Sequence, residues 1–158
     1  MVKFSPMTET DFEAYIRKSV PEYAYDQMVS GNWTAEEAAA KARAEFQQML
    51  PNGIQTENAF LYVMLNEEEN KVGMVWYYID PTRTRKTAFL IDFFVFSESR
   101  KKGYEKEALA LFEQTARQQG VEKIELQVFT HKSEEVTFYI ETGYKTTSVL
   151  FSKDLGKE

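Results

Sequence analysis

The sequence contains no cysteine and a single histidine, His131. The missing thiols exclude a disulfide scaffold, a thiolate zinc site and a cysteine nucleophile. One imidazole argues against a histidine-based metal site and against a Ser-His-Asp triad. Long apolar runs are also missing, and the N-terminus lacks a charged-then-apolar leader, so a soluble cytoplasmic protein with no membrane partner is expected. Basic residues are outnumbered, 19 to 25, for a net charge of -6 and a pI near 5.0. That balance argues against a general nucleic-acid binder, which needs a basic footprint. There is no internal repeat and no low-complexity tract. What the chain does have is aromatics, 15% of 158 residues. That content argues against disorder, and the length fits one domain, 1–158, with a real core.

Residues 2–7 read as a short strand, with Val2 and Phe4 alternating against Lys3 and Ser5. Thr8 starts a helix carrying Phe12, Tyr15, Ile16 and Val20 at helical spacing; Thr8 with Asp11 fits a capping box poorly, and Pro21 is expected to break the helix. Thr34 with Glu37 is a cleaner box opening a helix over 35–50, with Ala38, Ala42, Phe46 and Met49 on one stripe. Strands follow at 59–65, 72–79 and 87–96, the last apolar on both faces and so expected to be central. Gly73 permits a close backbone approach or a bulge. A helix after Gly103 runs to about Gln119. Ile124, Leu126 and Val128 alternate in a strand over 124–129, and strand, helix, strand implies a right-handed crossover with parallel pairing. Ser133 caps a short helix ended by Gly143, and 144–155 reads as a last strand. The order β-α-α-β-β-β-α-β-α-β describes an α/β domain on a mixed sheet.

The stretch that carries chemistry is 92–107. A strand ends near Phe96, and a basic turn follows, Arg100, Lys101, Lys102 and Gly103. A helix then begins. Unpaired N–H groups and the dipole at a helix start favour an anion, and glycine lets the backbone approach it. In an acidic chain such a turn points to a local anionic ligand rather than a polyanion.

Element order and motifs together resemble the GNAT family of acetyl-CoA-dependent N-acetyltransferases, over essentially the whole chain and most strongly from Ala88 onward. The family's Gln/Arg-x-x-Gly-x-Gly/Ala turn corresponds to Arg100-Lys101-Lys102-Gly103-Tyr104-Glu105. Its second element corresponds to Lys132, Tyr139 and Gly143-Tyr144. The resemblance implies a GNAT-like acyl-CoA N-acyltransferase fold, acetyl-CoA as co-substrate with no metal, and direct attack by a primary amine on a small molecule or peptide. It implies that backbone N–H groups from Lys101 to Lys106 meet the pyrophosphate. It also implies that the strand of Phe93, Phe94 and Val95 splays from its parallel neighbour and pairs with the pantetheine arm. Family members are often dimers, and the aromatic content is compatible with a homodimer. Three residues depart from the pattern. Glu105 replaces Gly or Ala, Lys132 replaces Asn, and Glu135 stands where a small residue packs. A Glu105 carboxylate about 4 Å from a phosphate would repel it by roughly 1 kcal/mol in water, and by more where the dielectric is lower.

Tyr139 is the expected catalytic residue, since a tyrosine O–H beside the sulfur can stabilise or protonate a departing thiolate. For a base, Asp92 on the central strand is weighed evenly against a buried, structurally satisfied Asp. Glu125 stays possible, Gln127 cannot act as a base, and His131 fits a surface role. Tyr23, Tyr25 and Trp33 fit an acceptor wall; Trp76, Tyr77 and Tyr78 fit core better than pocket. The competing reading is a catalytically degenerate GNAT-like module that binds a ligand or partner, for which Glu105 and Lys132 are the evidence.

Overall fold

A computed structural model describes residues 1–96, 98–99 and 103–156. Five strands, β1 (Lys3–Pro6), β2 (Ala59–Leu65), β3 (Lys71–Asp80), β4 (Thr87–Val95) and β5 (Lys123–Leu126), form one sheet in the order β1-β2-β3-β4-β5. The first three neighbouring pairs are antiparallel and β4 with β5 is parallel. Four helices flank it: α1 (Glu9–Val29), α2 (Ala35–Met49), α3 (Tyr104–Gln118) and α4 (Ser133–Glu141). The mixed α/β architecture and the element order through α4 agree with the sequence expectation. β3, not β4, is the middle strand.

The sheet separates two apolar layers. On one side α3 and α4 deliver Ala108, Leu109, Phe112, Ala116 and Tyr139 onto Val75, Tyr77, Ala88, Leu90 and Val95. Tyr77 lies between Phe60 and Phe112, with ring centroids 5.0 and 4.8 Å away, and donates its hydroxyl hydrogen bond to Gln119 at 2.7 Å. On the other side Tyr15 of α1, with Leu50, covers Leu61, Met74 and Trp76. A third cluster, Val20 and Ala24 against Ala38 and Ala42, joins α1 to α2; the small alanines let the two helices approach closely.

Several expectations are corrected. Pro21 does not break α1, which runs through it for 21 residues. The proline faces solvent, while Tyr15, Val20 and Ala24 are buried on both sides of it. This packing offsets a proline penalty of about 3 kcal/mol. The two capping boxes change places. At Thr8 both reciprocal bonds form with Asp11, at 3.0 and 3.1 Å. Thr34 makes no side-chain cap, and Glu37 accepts a hydrogen bond from Lys41 at 3.0 Å. Met49 is exposed and Leu50 takes the buried place. Ser133 is the first residue of α4 and Lys132 occupies the cap position. β5 ends at Leu126, three residues early, and 144–156 forms no strand.

Gly73 stands opposite Met64 and Val95, where a Cβ would lie 2.3 Å from the Phe94 carbonyl oxygen and 2.8 Å from Met64 Sδ. The register shift between Met64 and Leu65 places a bulge beside it. Gly103 is different, with φ at +77° and open space around it. Gly73→Ala should therefore cost about 2–4 kcal/mol, and Gly103→Ala only the left-handed penalty of about 1–2 kcal/mol. Urea denaturation of both variants checks the order, and equal losses would contradict this account of Gly73.

Candidate active site

The site begins with a defect in β4. Trp76 pairs with Asp92 but the next residue, Tyr77, pairs with Leu90, so Ile91 is an extra residue and is exposed. A bulge reverses which face each later side chain takes. Ala88 and Leu90 enter the α3–α4 core, and after the bulge Phe93 and Val95 do so instead. Asp92 and Phe94 are thereby turned toward α1. Pairing with β5 ends at the same place, with Leu90 opposite Leu126 as the final partners. Beyond it, no described strand pairs with the β5-facing side of residues 91–94.

Asp92 accepts a hydrogen bond from the Tyr15 hydroxyl at 2.7 Å. Enclosure of its carboxyl raises its pKa from 3.8 to about 6, and Glu22 adds to the rise. The Tyr15 hydrogen bond and the positive charges of Lys132 and Lys18 act the other way without cancelling it. Tyr15 is 1% exposed, and burial followed by the Asp92 charge drives its own pKa well upward, so it remains a donor. Lys18 Nζ stands 4.0 Å over the Phe94 ring, and Phe94 stacks on Tyr15. Trp76, at the Asp92 register position, leaves its buried indole N–H without a partner among the described residues.

A polar strap joins α1 to the loop before α4. Asp26 receives His131 Nε2 at 2.9 Å and Lys132 Nζ at 2.8 Å. Burial would lower the Lys132 pKa, but the Asp26 bond and the charges of Glu135, Asp26 and Asp92 raise it overall. The structure thus commits the Lys132 ammonium to α1, where the resemblance had placed a coenzyme-side residue.

Tyr139 lies across the sheet face, 9% exposed, packed on Phe138 and Tyr144. Its hydroxyl makes no hydrogen bond to a described residue. Burial raises its pKa first, followed by the charges of Glu135, Asp92 and Glu105. The Tyr139 hydroxyl, Asp92 and the start of α3 thus share one electrostatic neighbourhood although they come from three elements.

Of the expected anion turn, Arg100, Lys101 and Lys102 lie outside the described residues. Gly103 takes the left-handed cap position of α3, and Tyr104, Glu105 and Lys106 form its first turn. Lys106 is exposed, while Tyr104 and Glu105 are half-buried. Glu105 does not lie loose in solvent. It lines a cavity of about 370 Å³ together with Ser133, Glu134, Thr137, Phe138 and Glu141. The α4 side of the turn is therefore acidic, and an anion would meet the turn from the β4 side.

The remaining candidates lie in other parts of the fold. Glu125 is ion-paired with Arg83 and Lys123, and the Lys123 bond in particular holds its pKa below the usual carboxylate value. It sits opposite Phe89, before the strands part. Trp76 and Tyr77 are core, Tyr25 is exposed, and Tyr23 packs on Trp33 and Phe46. Tyr15 and Asp26 were not singled out from the sequence as site residues. Tyr15 fell on the apolar stripe of α1, and only a lone carboxylate in an apolar strand hinted that a donor had to stand opposite Asp92.

Comparison with known proteins gives this geometry a family. A model for the acetyltransferase (GNAT) domain matches residues 5–157. Two proteins of Bacillus subtilis (strain 168), described as the uncharacterized N-acetyltransferases YycN and YdgE, are 32% and 34% identical. YycN matches over 98% of this chain and 99% of its own, and YdgE over 94% and 95%. The crystal structure of YycN superposes with a TM-score of 0.95, covering 99% of this chain and all of that one. A mutant of BH1408 from Bacillus halodurans, 18% identical, shares the fold with a TM-score of 0.72 over 98% of this chain and 99% of that one. With a parallel β4–β5 pairing that ends at Leu90, a glycine-capped α3 and a family match over nearly its full length, the chain belongs to the GNAT acetyltransferase family.

Proposed function

We propose that this enzyme moves an acetyl group from acetyl-CoA to a primary amine on a small molecule or peptide by direct attack, in the cytoplasm, and works as a homodimer. The observation that carries the reading is the gap after Leu90, where β4 offers backbone to an added strand-like ligand beside both Asp92 and Tyr139. The residues present fit the coenzyme that GNAT acetyltransferases use. An unpaired strand edge suits an extended amide-bearing arm. The α3 N-terminus behind an open, left-handed Gly103 suits a pyrophosphate. Phe93, Phe94 and Val95 hold that edge by packing into the two cores. Bound there, the coenzyme supplies a thioester whose acyl carbon accepts the amine and whose thiol departs.

Tyr139 serves the departing sulfur as a hydrogen-bond donor rather than a full proton donor. A thiol's ordinary pKa near 8.5 against tyrosine's near 10 makes complete transfer uphill by about 2 kcal/mol, and burial of Tyr139 widens the gap. Asp92 takes the proton that the attacking amine releases, directly or through water. With a pKa of about 6 it holds a proton more firmly than an ordinary carboxylate, and Tyr15 fixes its orientation. Lys132 and Lys18 keep its ionised form accessible. The competing reading, a binding module without turnover, is favoured only by Glu105 and Lys132, and Lys132 is already engaged by Asp26.

Titration calorimetry with acetyl-CoA separates the two readings, because no detectable heat at millimolar ligand would sink the enzyme. Given binding, Tyr139→Phe should reduce kcat by roughly ten- to a hundredfold, the worth of one hydrogen bond to a charged atom. Its acetyl-CoA affinity should be unchanged, and wild-type turnover would remove Tyr139 from the mechanism.

The pH dependence tests Asp92. As the base, it gives a rate that climbs through about pH 6, and Asp92→Asn should abolish that limb. Stability moves oppositely. The folded carboxyl titrates above its unfolded value of 3.8, so the folded state binds the extra proton between pH 3.8 and about 6 and loses relative stability as pH rises through that window. Asp92→Asn should therefore unfold at higher urea at pH 7, by roughly 1–3 kcal/mol. A variant that is slower but no more stable would contradict the enclosure of this carboxylate.

Glu105→Gln should tighten acetyl-CoA by about fivefold if the carboxylate faces phosphate across water. Unchanged affinity in the same calorimetric titration would show that the α4 cavity keeps the charge turned away.

A further inference from the structure

The fold carries an amine of its own to the neighbourhood of Asp92. Lys18 stands on α1, three residues after Tyr15, and its Nζ lies 4.0 Å over the Phe94 ring. That ring stacks on Tyr15 with centroids 6.5 Å apart, and the Tyr15 hydroxyl donates to Asp92 at 2.7 Å. Lys18 therefore sits on the α1 side of the sheet against residues 92–94. This is the stretch of β4 that no longer pairs with β5. Enclosure drives the Asp92 pKa upward, and the Lys18 charge is among the influences that oppose it, so the two groups are within electrostatic reach.

Lys18 is also free to move. Its ammonium donates to Glu22 at 3.1 Å, one helical turn on, and the two side chains are 43% and 57% exposed. A pair so exposed contributes at most about 1 kcal/mol, and the lysine stem is long and flexible. Lys132, the other ammonium whose charge reaches Asp92, lacks this freedom. Its Nζ bonds Asp26 at 2.8 Å, and that carboxylate is buried and held by His131 as well. Of these two amines, Lys18 is the one with a weakly held, exposed partner.

A mobile amine, a carboxylate able to take its proton and a strand edge suited to the thioester arm are the components of acetyl transfer onto the protein itself. An amine tethered beside the acyl carbon needs no encounter from solution, which is the advantage of an intramolecular step. We infer that, with acetyl-CoA bound and no acceptor in place, Lys18 accepts the acetyl group, so that Lys18 is a self-acetylation site. This inference rests on the acetyl-transfer reading above.

The step balances. Lys18 gives one ammonium proton to Asp92 and attacks the acyl carbon as the free amine. The C–N bond forms and the C–S bond breaks. A second proton passes from nitrogen to the departing thiolate, which leaves a neutral amide on Lys18 and a free thiol. The product has lost a positive charge beside Asp92, and Glu22 is released from its ion pair. Both changes favour the protonated form of Asp92, since Lys18 opposes the rise in its pKa and Glu22 adds to it. A chain that has acetylated itself therefore has a weaker supply of ionised Asp92 near pH 6, and an acceptor that fills the site first prevents the modification.

Mass spectrometry of the full chain after incubation with acetyl-CoA, with no amine added, tests this directly. The expected result is one acetyl group per chain, mapped to Lys18 by peptide analysis. The fraction modified with time should not depend on protein concentration, as an intramolecular step requires, and its rate should climb through about pH 6 with ionisation of Asp92. Lys18→Arg should lose the acetyl group, and Asp92→Asn should slow its appearance by about a hundredfold or more. Acetyl groups scattered over exposed lysines at a rate indifferent to Asp92→Asn would overturn the inference. So would acetylation of Lys132 in place of Lys18. Titration calorimetry on the same samples separates the two readings. Acetyl-CoA binding with an unmodified chain overturns self-acetylation and leaves the enzyme standing, whereas absence of binding heat overturns both.

Discussion

Between Leu90 and Asp92, β4 carries one residue more than β3 opposite it, and its pairing with β5 stops at the same point. A strand has a side-chain period of two, so one added residue moves everything after it to the other face. Without Ile91 in the bulge, Asp92 would take the same face as Ala88 and Leu90, toward the apolar α3–α4 core and away from Tyr15. With it, the carboxyl meets Tyr15, and Phe93 and Val95 take the core positions that Leu90 began. The end of β4–β5 pairing and the placement of the Asp92 carboxylate both fall at this single insertion. Both cores have to hold the strand on either side of it. That is why β3, the middle strand, is buried over most of its length and why Gly73 admits β4 so closely.

Enclosure and neutralisation are set against each other around Asp92. Burial is the largest influence and leaves its pKa at about 6, with Tyr15, Lys132 and Lys18 holding back a larger rise. Lys132 is itself held by Asp26, which also takes His131. A movement of α1 relative to the loop before α4 would therefore change the potential at Asp92 without touching it. The Asp26 strap fixes that spacing through two partly buried contacts rather than an exposed ion pair, which would contribute little. The same helix supplies Tyr15, Lys18, Glu22 and Asp26, so α1 carries most of the groups that tune the carboxylate, and Pro21 in its middle is tolerated because the helix is clamped on both sides of it.

The order of elements was legible because apolar periodicity and glycine punctuation report on local structure, and they placed β2 and nearly every helix to within a residue or two. The turn at Gly103 and the Tyr139 helix were legible through their spacing and their likeness to a family. The Asp92–Tyr15 bond was not. It joins residues far apart in the chain across a bulge that has no sequence mark, since Ile91 is an ordinary strand residue. Local rules also misjudged the helix starts. Asp11 completes a box with Thr8, bonding the cap N–H, while Thr34 gives no side-chain cap and Glu37 also bonds Lys41 one turn on. Pro21 was read as a breaker because propensity describes an isolated helix, and α1 is not isolated.

The segment after α4 shows a different boundary of sequence reading. Alternation at 144–155 reports that the segment suits a pleated surface, but a strand signal carries no address: it cannot say which edge, or which chain, supplies the partner. In this structure the segment has strand composition and no strand partner among the described residues, and β5 is the last strand of the described sheet, with half-buried Ile124 and Leu126. β5 stopping at Leu126 follows from the same deficit, since a terminal strand flanked on one side only has fewer hydrogen bonds to hold its end. An added strand at that edge would extend the sheet next to the place where β4 and β5 part. It would press on Tyr144 and, through it, on Tyr139, whose rings lie 5.5 Å apart. Tyr144 also donates its N–H to the Tyr139 carbonyl at 2.9 Å, so the packing around Tyr144 bears directly on where the Tyr139 ring sits.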